Sequence, residues 1–120
     1  MHELSVCQAL IGQVERVARD SDARRVVNIY VSVGPLSGVE AKLLEHAYPL
    51  AAAGTIAEGA ELIVETVPVV VRCRTCHAET EAAPNRLVCG SCRDWQVEVI
   101  AGEDMMLLRV EVETAAESVQ

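Results

Sequence analysis

Two pairs of cysteines are the residues of this chain whose type and spacing most clearly point to chemistry. Cys73 and Cys76 form the first pair, and Cys89 and Cys92 follow after twelve intervening residues. A C-x2-C pair forms a tight turn that directs two thiolates at one point, and two such turns on opposing hairpins complete a tetrahedron around zinc. Because four thiolates leave no open coordination position, the spacing predicts a structural zinc site.

Three other uses of these cysteines are alternatives. Two disulfides would need an oxidising compartment, whereas the start of the chain does not resemble a signal peptide, so we expect a reducing one. A thioredoxin-like redox motif would need one pair in a βαβ setting. The segment from Cys73 to His77 also matches the c-type haem signature C-x-x-C-H. The second pair favours zinc over haem.

The first three residues, Met1, His2 and Glu3, form a second candidate metal site. We expect Met1 to be retained, because the side chain of His2 is large. The α-amine, the deprotonated amide of His2 and its imidazole Nδ1 would close a five-membered and a six-membered chelate ring. Planar nitrogen sets of this kind suit Ni(II) or Cu(II), whereas zinc prefers a tetrahedron. Glu3 could add its backbone nitrogen or orient the imidazole. A polar chain end without a metal is the alternative.

The first half of the chain shows the patterns of a helix, a strand and a second helix. Apolar residues at three- and four-residue steps predict an amphipathic helix over residues 4–18, with Cys7 in the core. Alternation predicts a strand at residues 27–33. Ser37 and Glu40 match a capping box, so the second helix should begin near residue 38. Pro49 should kink that helix or make its last turn irregular, and Gly54 should end it.

The second half predicts strands on both sides of the cysteine pairs. The segment 61–67 is one, and the segment 105–113 is the last. Even positions of the last strand are all apolar, so we expect them to face the core. They are Met106, Leu108, Val110 and Val112.

These elements predict an α+β fold. A small mixed three-stranded sheet, with strands around residues 26–33, 61–67 and 105–113, carries two helices on one face, and a zinc-ribbon-like module is inserted into it. The expected domains are an α/β domain of residues 1–68 with 103–113, a zinc-binding module of residues 69–102, and a disordered tail of residues 114–120.

Composition limits the classes of partner. The net charge of −8 repels phosphate backbones, and aromatic residues make up only 2% of the chain, so base stacking has few platforms. No apolar run approaches the length of a membrane span. We therefore expect a cytoplasmic protein that binds neither nucleic acid nor membranes.

Several segments together resemble the HypA/HybF family of nickel-incorporation proteins for NiFe hydrogenases. Besides the paired C-x2-C motifs, the resemblance rests on the segments 1–5, 31–40 and 54–60, which read MHELS, VSVGPLSGVE and GTIAEGA. It covers nearly the whole chain. The combination of an N-terminal M-H-E with this cysteine spacing is specific.

The resemblance implies a nickel metallochaperone without enzymatic activity. The family's nickel site falls on Met1, His2 and Glu3, with His2 as the indispensable side chain, and its structural zinc falls on Cys73, Cys76, Cys89 and Cys92. The implied partners are a HypB-type GTPase and the hydrogenase large-subunit precursor, and some members also serve urease maturation. A zinc-ribbon interaction adaptor without a second metal is the alternative function.

The chain departs from the family at one position beside the zinc ligands. In some members histidines adjoin both cysteine pairs and exchange with thiolates as the pH changes. Here His77 follows Cys76, but Arg93 follows Cys92. The resemblance therefore does not extend to acid sensing through the zinc site.

Overall fold

A computed structural model describes residues 3–114 of the protein. Met1 and His2 lie outside the described residues, and so do residues 115–120 of the predicted disordered tail, whereas its first residue, Thr114, belongs to the last strand. Two helices and six strands follow one another along the chain: α1 (Glu3–Asp20), β1 (Ala23–Val33), α2 (Ala41–Ala52), β2 (Glu61–Thr66), β3 (Val69–Cys73), β4 (Glu79–Ala82), β5 (Val97–Ala101) and β6 (Met105–Thr114).

The first sheet is mixed, as predicted. Its strand order is β2-β1-β6, with β1 parallel to β2 and antiparallel to β6. Helix α2 connects the two parallel strands, because a parallel pair needs a crossover rather than a tight turn. Both helices contribute buried residues to the core that packs against this sheet. The predicted α+β class is therefore confirmed, and no helix among residues 3–114 is long and apolar enough to span a bilayer.

The apolar stripe of α1 forms the centre of the core. Cys7 and Val14 of this stripe have no exposed surface, and Ile29 and Val31 of β1 are equally buried. The thiol of Cys7 lies 3.4 Å from the carbonyl oxygen of Leu44, which ties α1 to α2. The prediction that Cys7 is a core residue is therefore confirmed.

The predicted core face of the last strand is wrong in its first half. Tyr30 pairs with Arg109 while its neighbour Val31 pairs with Leu107, so Leu108 is an extra residue in a β-bulge. The bulge changes which side chains face the helices. Met105 and Leu107 pack against the core together with Val110 and Val112, whereas Met106 and Leu108 are 57% and 45% exposed.

The predicted capping box at α2 is also wrong. The hydroxyl of Ser37 donates a hydrogen bond of 2.7 Å to the carbonyl of Gly34 and accepts one of 3.2 Å from the amide of Val39. Ser37 therefore closes the preceding turn, and α2 begins only at Ala41, with Glu40 as an N-cap that makes no side-chain hydrogen bond. The helix continues past Pro49 to Ala52. Gly54 follows the C-cap with a φ of +78°, as expected for a glycine that ends a helix.

The second sheet carries the cysteine pairs. Its strand order is β4-β3-β5, and both neighbours pair antiparallel with β3. The chain enters this sheet after β2 and returns from it before β6. Gly102, at the return point, has a φ of +101°, and its carbonyl oxygen would lie 2.3 Å from a Cβ atom placed on Gly34. The two sheets are therefore joined where these glycine backbones meet.

Candidate metal centre

The four paired cysteines converge on one point. Their sulfur atoms all lie within 4.8 Å of one another. Sγ of Cys73 is 3.6 Å from Sγ of Cys92, and Sγ of Cys76 is 3.6 Å from Sγ of Cys89. All four are free thiols, so neither pair is a disulfide. A zinc ion with Zn–S bonds of about 2.3 Å requires sulfur–sulfur edges of about 3.8 Å, which this arrangement nearly matches.

Strand β3 and the turn after it position the first pair. Cys73 is the last residue of β3 and is buried, whereas Cys76 is exposed. The amides of Thr75 and Cys76 donate hydrogen bonds of 3.3 and 3.4 Å to Sγ of Cys73. These bonds hold the turn closed and direct backbone dipoles at the sulfur.

The second pair repeats the same geometry. Cys89 is buried and Cys92 is exposed. The amides of Ser91 and Cys92 donate hydrogen bonds of 3.3 and 3.4 Å to Sγ of Cys89. The two turns therefore present one buried and one exposed sulfur each.

The residue after each pair adopts a left-handed backbone conformation. His77 has a φ of +66° and Arg93 a φ of +67°. Their amides donate hydrogen bonds of 3.0 Å to the carbonyls of Cys73 and Cys89, which closes each turn. Both side chains are exposed, and His77 is not part of the sulfur cluster. The haem alternative is disfavoured, because all four thiols share one centre.

The hydrogen bonds make the thiols unequal. The amides of Cys92 and Ser91 lower the pKa of Cys89 to about 6, against the effect of burial. The amide of Cys76 lowers the pKa of the Cys73 thiol, with the Thr75 amide adding to it. At Cys92 the amide of Asp94 favours the thiolate, but the neighbouring cysteines, Cys73 foremost, and burial raise its pKa to about 12. A cation at the centre would remove this competition by stabilising all four thiolates.

Two side chains that the sequence analysis did not single out support these turns. A carboxylate oxygen of Asp94 accepts a hydrogen bond from the hydroxyl of Thr75, and its other oxygen accepts one of 3.1 Å from the amide of Gln96. Thr80 of β4 accepts a hydrogen bond of 2.8 Å from the amide of Gly90. Asp94 and Gln96 are only two residues apart, so their hydrogen bond could have been predicted from the sequence. The contact between Thr80 and Gly90 could not, because it forms only once the second sheet has folded.

The second predicted site lies at the start of α1. Glu3 is the first residue of this helix and is half-buried. Met1 and His2 lie outside the described residues. The predicted nickel ligands therefore adjoin the helix N-terminus along the chain, and their assignment stays a prediction.

Known proteins match this chain over almost its whole length. The family model described as hydrogenase/urease nickel incorporation, metallochaperone, hypA matches residues 1–112. The hydrogenase maturation factor HypA of Nitrosospira multiformis is 46% identical over 95% of this chain and 99% of its own, and that of Aquifex aeolicus is 40% identical over 94% and 98%. A solution structure of the Ni metallochaperone HypA from Helicobacter pylori superposes with a TM-score of 0.71 at 25% identity, over 95% of this chain and 99% of its own.

Proposed function

Because the chain belongs to the HypA family of hydrogenase and urease nickel-incorporation proteins, we propose that it binds Ni(II) at its N-terminus and helps to insert it into the large-subunit precursor of a NiFe hydrogenase. The observation that carries this proposal is the family match over residues 1–112, which includes both the M-H-E terminus and the four converging cysteines. A metallochaperone binds and transfers an ion, so the protein is not an enzyme.

We assign the nickel ligands to Met1, His2 and Glu3. The amine of Met1, the amide of His2 and the imidazole provide the planar nitrogen donors that Ni(II) accepts. Glu3 contributes its backbone nitrogen or orients the imidazole through its carboxylate. Two of these nitrogens must lose protons before they bind, so nickel bound here is surrendered on protonation or ligand exchange. That lability suits a cargo ion.

We assign the sulfur cluster to a structural zinc ion, with Cys73, Cys76, Cys89 and Cys92 as ligands. The cluster fits zinc because its sulfur–sulfur distances of 3.6 Å approach those of a zinc tetrathiolate. When bound, zinc supplies the charge that holds all four thiolates together. Four protein ligands fill the tetrahedron, so this site has no position for a cargo ion.

The partners proposed for this protein are those of hydrogenase maturation. They are a HypB-type GTPase and the large-subunit precursor, and the family's description adds urease maturation as a second destination for nickel. We also propose that the protein acts in the cytoplasm. An acidic chain with a net charge of −8 is suited to holding cations rather than nucleic acid.

The first test is a nickel titration by isothermal calorimetry of the zinc-loaded protein with its native N-terminus. We expect one nickel ion per chain. The same protein extended by four N-terminal residues should lose this binding, because the extension removes the free amine from Met1 and leaves no amine within chelating distance of His2. His2→Ala should lose it as well.

The matched control is His46→Ala, because His46 is an exposed histidine within α2. This variant should bind nickel as the native protein does. Equal binding by the native and extended proteins would place nickel elsewhere. No binding by either would favour a zinc-stabilised interaction adaptor without a second metal.

A further inference from the structure

Strand β6 forms an edge of the first sheet, and its first four residues carry no charge. The order β2-β1-β6 leaves two edges, and natural proteins usually shield such edges with charges or short strands. Strand β2 has six residues and exposes Glu61 and Glu65. Strand β6 has ten residues and begins with four uncharged apolar ones, Met105 to Leu108. The first four residues of β6, which precede the charged Arg109 and Glu111, therefore lack the charges that β2 has.

The backbone of β6 offers hydrogen-bonding groups at this edge. The amide of Gly34 donates a hydrogen bond of 3.0 Å to the carbonyl of Asp104, and the register continues with Val33 opposite Met105 and Val31 opposite Leu107. Hydrogen-bonded pairs of an antiparallel ladder alternate with non-bonded pairs, so the N–H and C=O groups of Met105 and Leu107 point away from β1. No other strand within residues 3–114 pairs with this side of β6.

A groove lies next to the same edge, between β6 and α1. Two adjoining cavities of about 290 and 570 Å³ form it, and both are lined by Gln13, Met105 and Leu107. Along α1 the lining residues run from Val6 to Asp20. The fourteen residue-to-residue steps from Val6 to Asp20 correspond to about 21 Å along the helix. An extended segment of about six or seven residues has the same length.

The lining of this groove indicates what could fill it. Val17 and Met106 are apolar and exposed by 38% and 57%, and methionine adapts to different partner side chains. The carboxylates of Glu103 and Asp104 also line the groove, and neither forms an ion pair within the described residues. Asp20 adds a third carboxylate to the lining and Arg16 is its one basic side chain, so acidic groups outnumber basic ones in the groove. A segment with both apolar and basic side chains would complement this surface.

We propose that the free edge of β6 and the groove beside α1 bind an extended segment of a partner protein as an added strand. Alternate apolar side chains of that segment fill the groove, and its basic side chains lie near Glu103 and Asp104. Main-chain hydrogen bonds to Met105 and Leu107 provide the affinity of such an added strand.

The groove begins close to the proposed nickel site. Val6 lies three residues after Glu3, which is about 4.5 Å along the helix axis. A partner held in the groove would thus lie within about one helical turn of Glu3, the described residue that follows His2 in the sequence. This consequence rests on the proposed function, whereas strand addition itself does not.

The experiment uses the full-length, zinc-loaded protein and a capped synthetic heptapeptide, Lys-Val-Lys-Val-Lys-Val-Lys. Amide hydrogen exchange is followed by NMR with and without the peptide. We expect binding to slow exchange at Met105 and Leu107 at least tenfold and to leave the amides of β2 unchanged. A peptide with glutamate in place of each lysine should not bind.

Two variants separate main-chain from side-chain recognition. Leu107→Ala and Leu107→Pro lose the same side chain, but only proline removes the outward N–H, and proline is tolerated at such edge positions. Leu107→Ala should retain most of the binding and Leu107→Pro should lose at least tenfold in affinity. If the proline variant does not fold, a heptapeptide N-methylated at its valines decides the matter, because it should bind at least tenfold more weakly than its parent.

Several results would overturn the proposal. The proposal is wrong if the lysine and glutamate peptides bind equally well or if neither binds. It is also wrong if the N-methylated peptide binds as tightly as its unmethylated parent. Slow exchange at Leu107 in the protein alone, together with dimers in sedimentation, would show that a second copy covers the edge. None of these results depends on nickel, so they are distinguishable from failure of the nickel titration.

Discussion

Tyr48 shows how a single polar side chain is accommodated in the core between the helices and the first sheet. It is only 5% exposed, and its hydroxyl donates a hydrogen bond of 2.8 Å to the carbonyl of Ala57. Burial, with a smaller effect from Cys7, raises the pKa of Tyr48 to about 12. The folded protein therefore holds the neutral phenol, and the hydroxyl links α2 to the loop that leads to β2.

We expect the free energy of unfolding to fall as the pH rises from about 10 to 12. In this window the phenol ionises in the unfolded chain, where the pKa is about 10, but not in the folded protein. Tyr48→Phe should lower stability near neutral pH by about 1 kcal/mol, because the hydrogen bond is lost, and should flatten the alkaline decline. Urea denaturation followed by circular dichroism at several pH values measures both. If the free energy of unfolding of the variant falls equally steeply between pH 10 and 12, groups other than Tyr48 cause the decline.

Among the elements, the junction between the two sheets depends on glycine. A Cβ on Gly34 would lie 2.3 Å from the carbonyl oxygen of Gly102, and a Cβ on Gly102 would lie 2.8 Å from the Cα of Val69. Backbone atoms cannot move aside as flexible side chains do. The segments that enter and leave the cysteine-bearing sheet can therefore cross only because both positions lack a side chain.

We predict that Gly34→Ala destabilises the protein by about 1–3 kcal/mol, as overpacking does in a rigid site. The control is Gly12→Ala. Gly12 lies within α1 and has no atom within 4 Å of its would-be Cβ, so alanine there should stabilise the helix by about 0.5–1 kcal/mol. Thermal unfolding of the zinc-loaded variants compares the two. A melting temperature of Gly34→Ala equal to that of the native protein would show that the junction can open freely.

Considered as a whole, the molecule has two unequal cores. The first sheet and its helices share a large apolar cluster. Around the second sheet, the buried apolar residues among those described are only Val69, Val71, Cys73 and Cys89. Domains of fewer than about 40 residues rarely fold without a metal or disulfides. We therefore propose that residues 69–102 form a separate module whose folding depends on zinc.

Removal of zinc with a chelator should unfold this module alone. We expect the amides of β3, β4 and β5 to lose their protection from hydrogen exchange, because no zinc ion then links the two cysteine-bearing turns. The amides of α1 and β1 should stay protected. Exchange measured by mass spectrometry with and without chelator tests this, and zinc readdition should restore the protection. Simultaneous loss of protection in both sheets would show that they fold as one unit.

The sequence by itself determined the helix α1, the mixed sheet and the four cysteines that converge. The helix and the strands depend on the local spacing of apolar residues, and the convergence of the cysteines depends on the covalent spacing of two C-x2-C turns. Both are properties of the sequence itself. Tertiary structure alone decided the bulge at Leu108, because the extra residue exists only relative to the pairing of Tyr30 and Val31. It also decided the crossing at Gly34 and the groove beside β6. Each of these features requires two distant segments to meet, and their contact determines which local preference prevails.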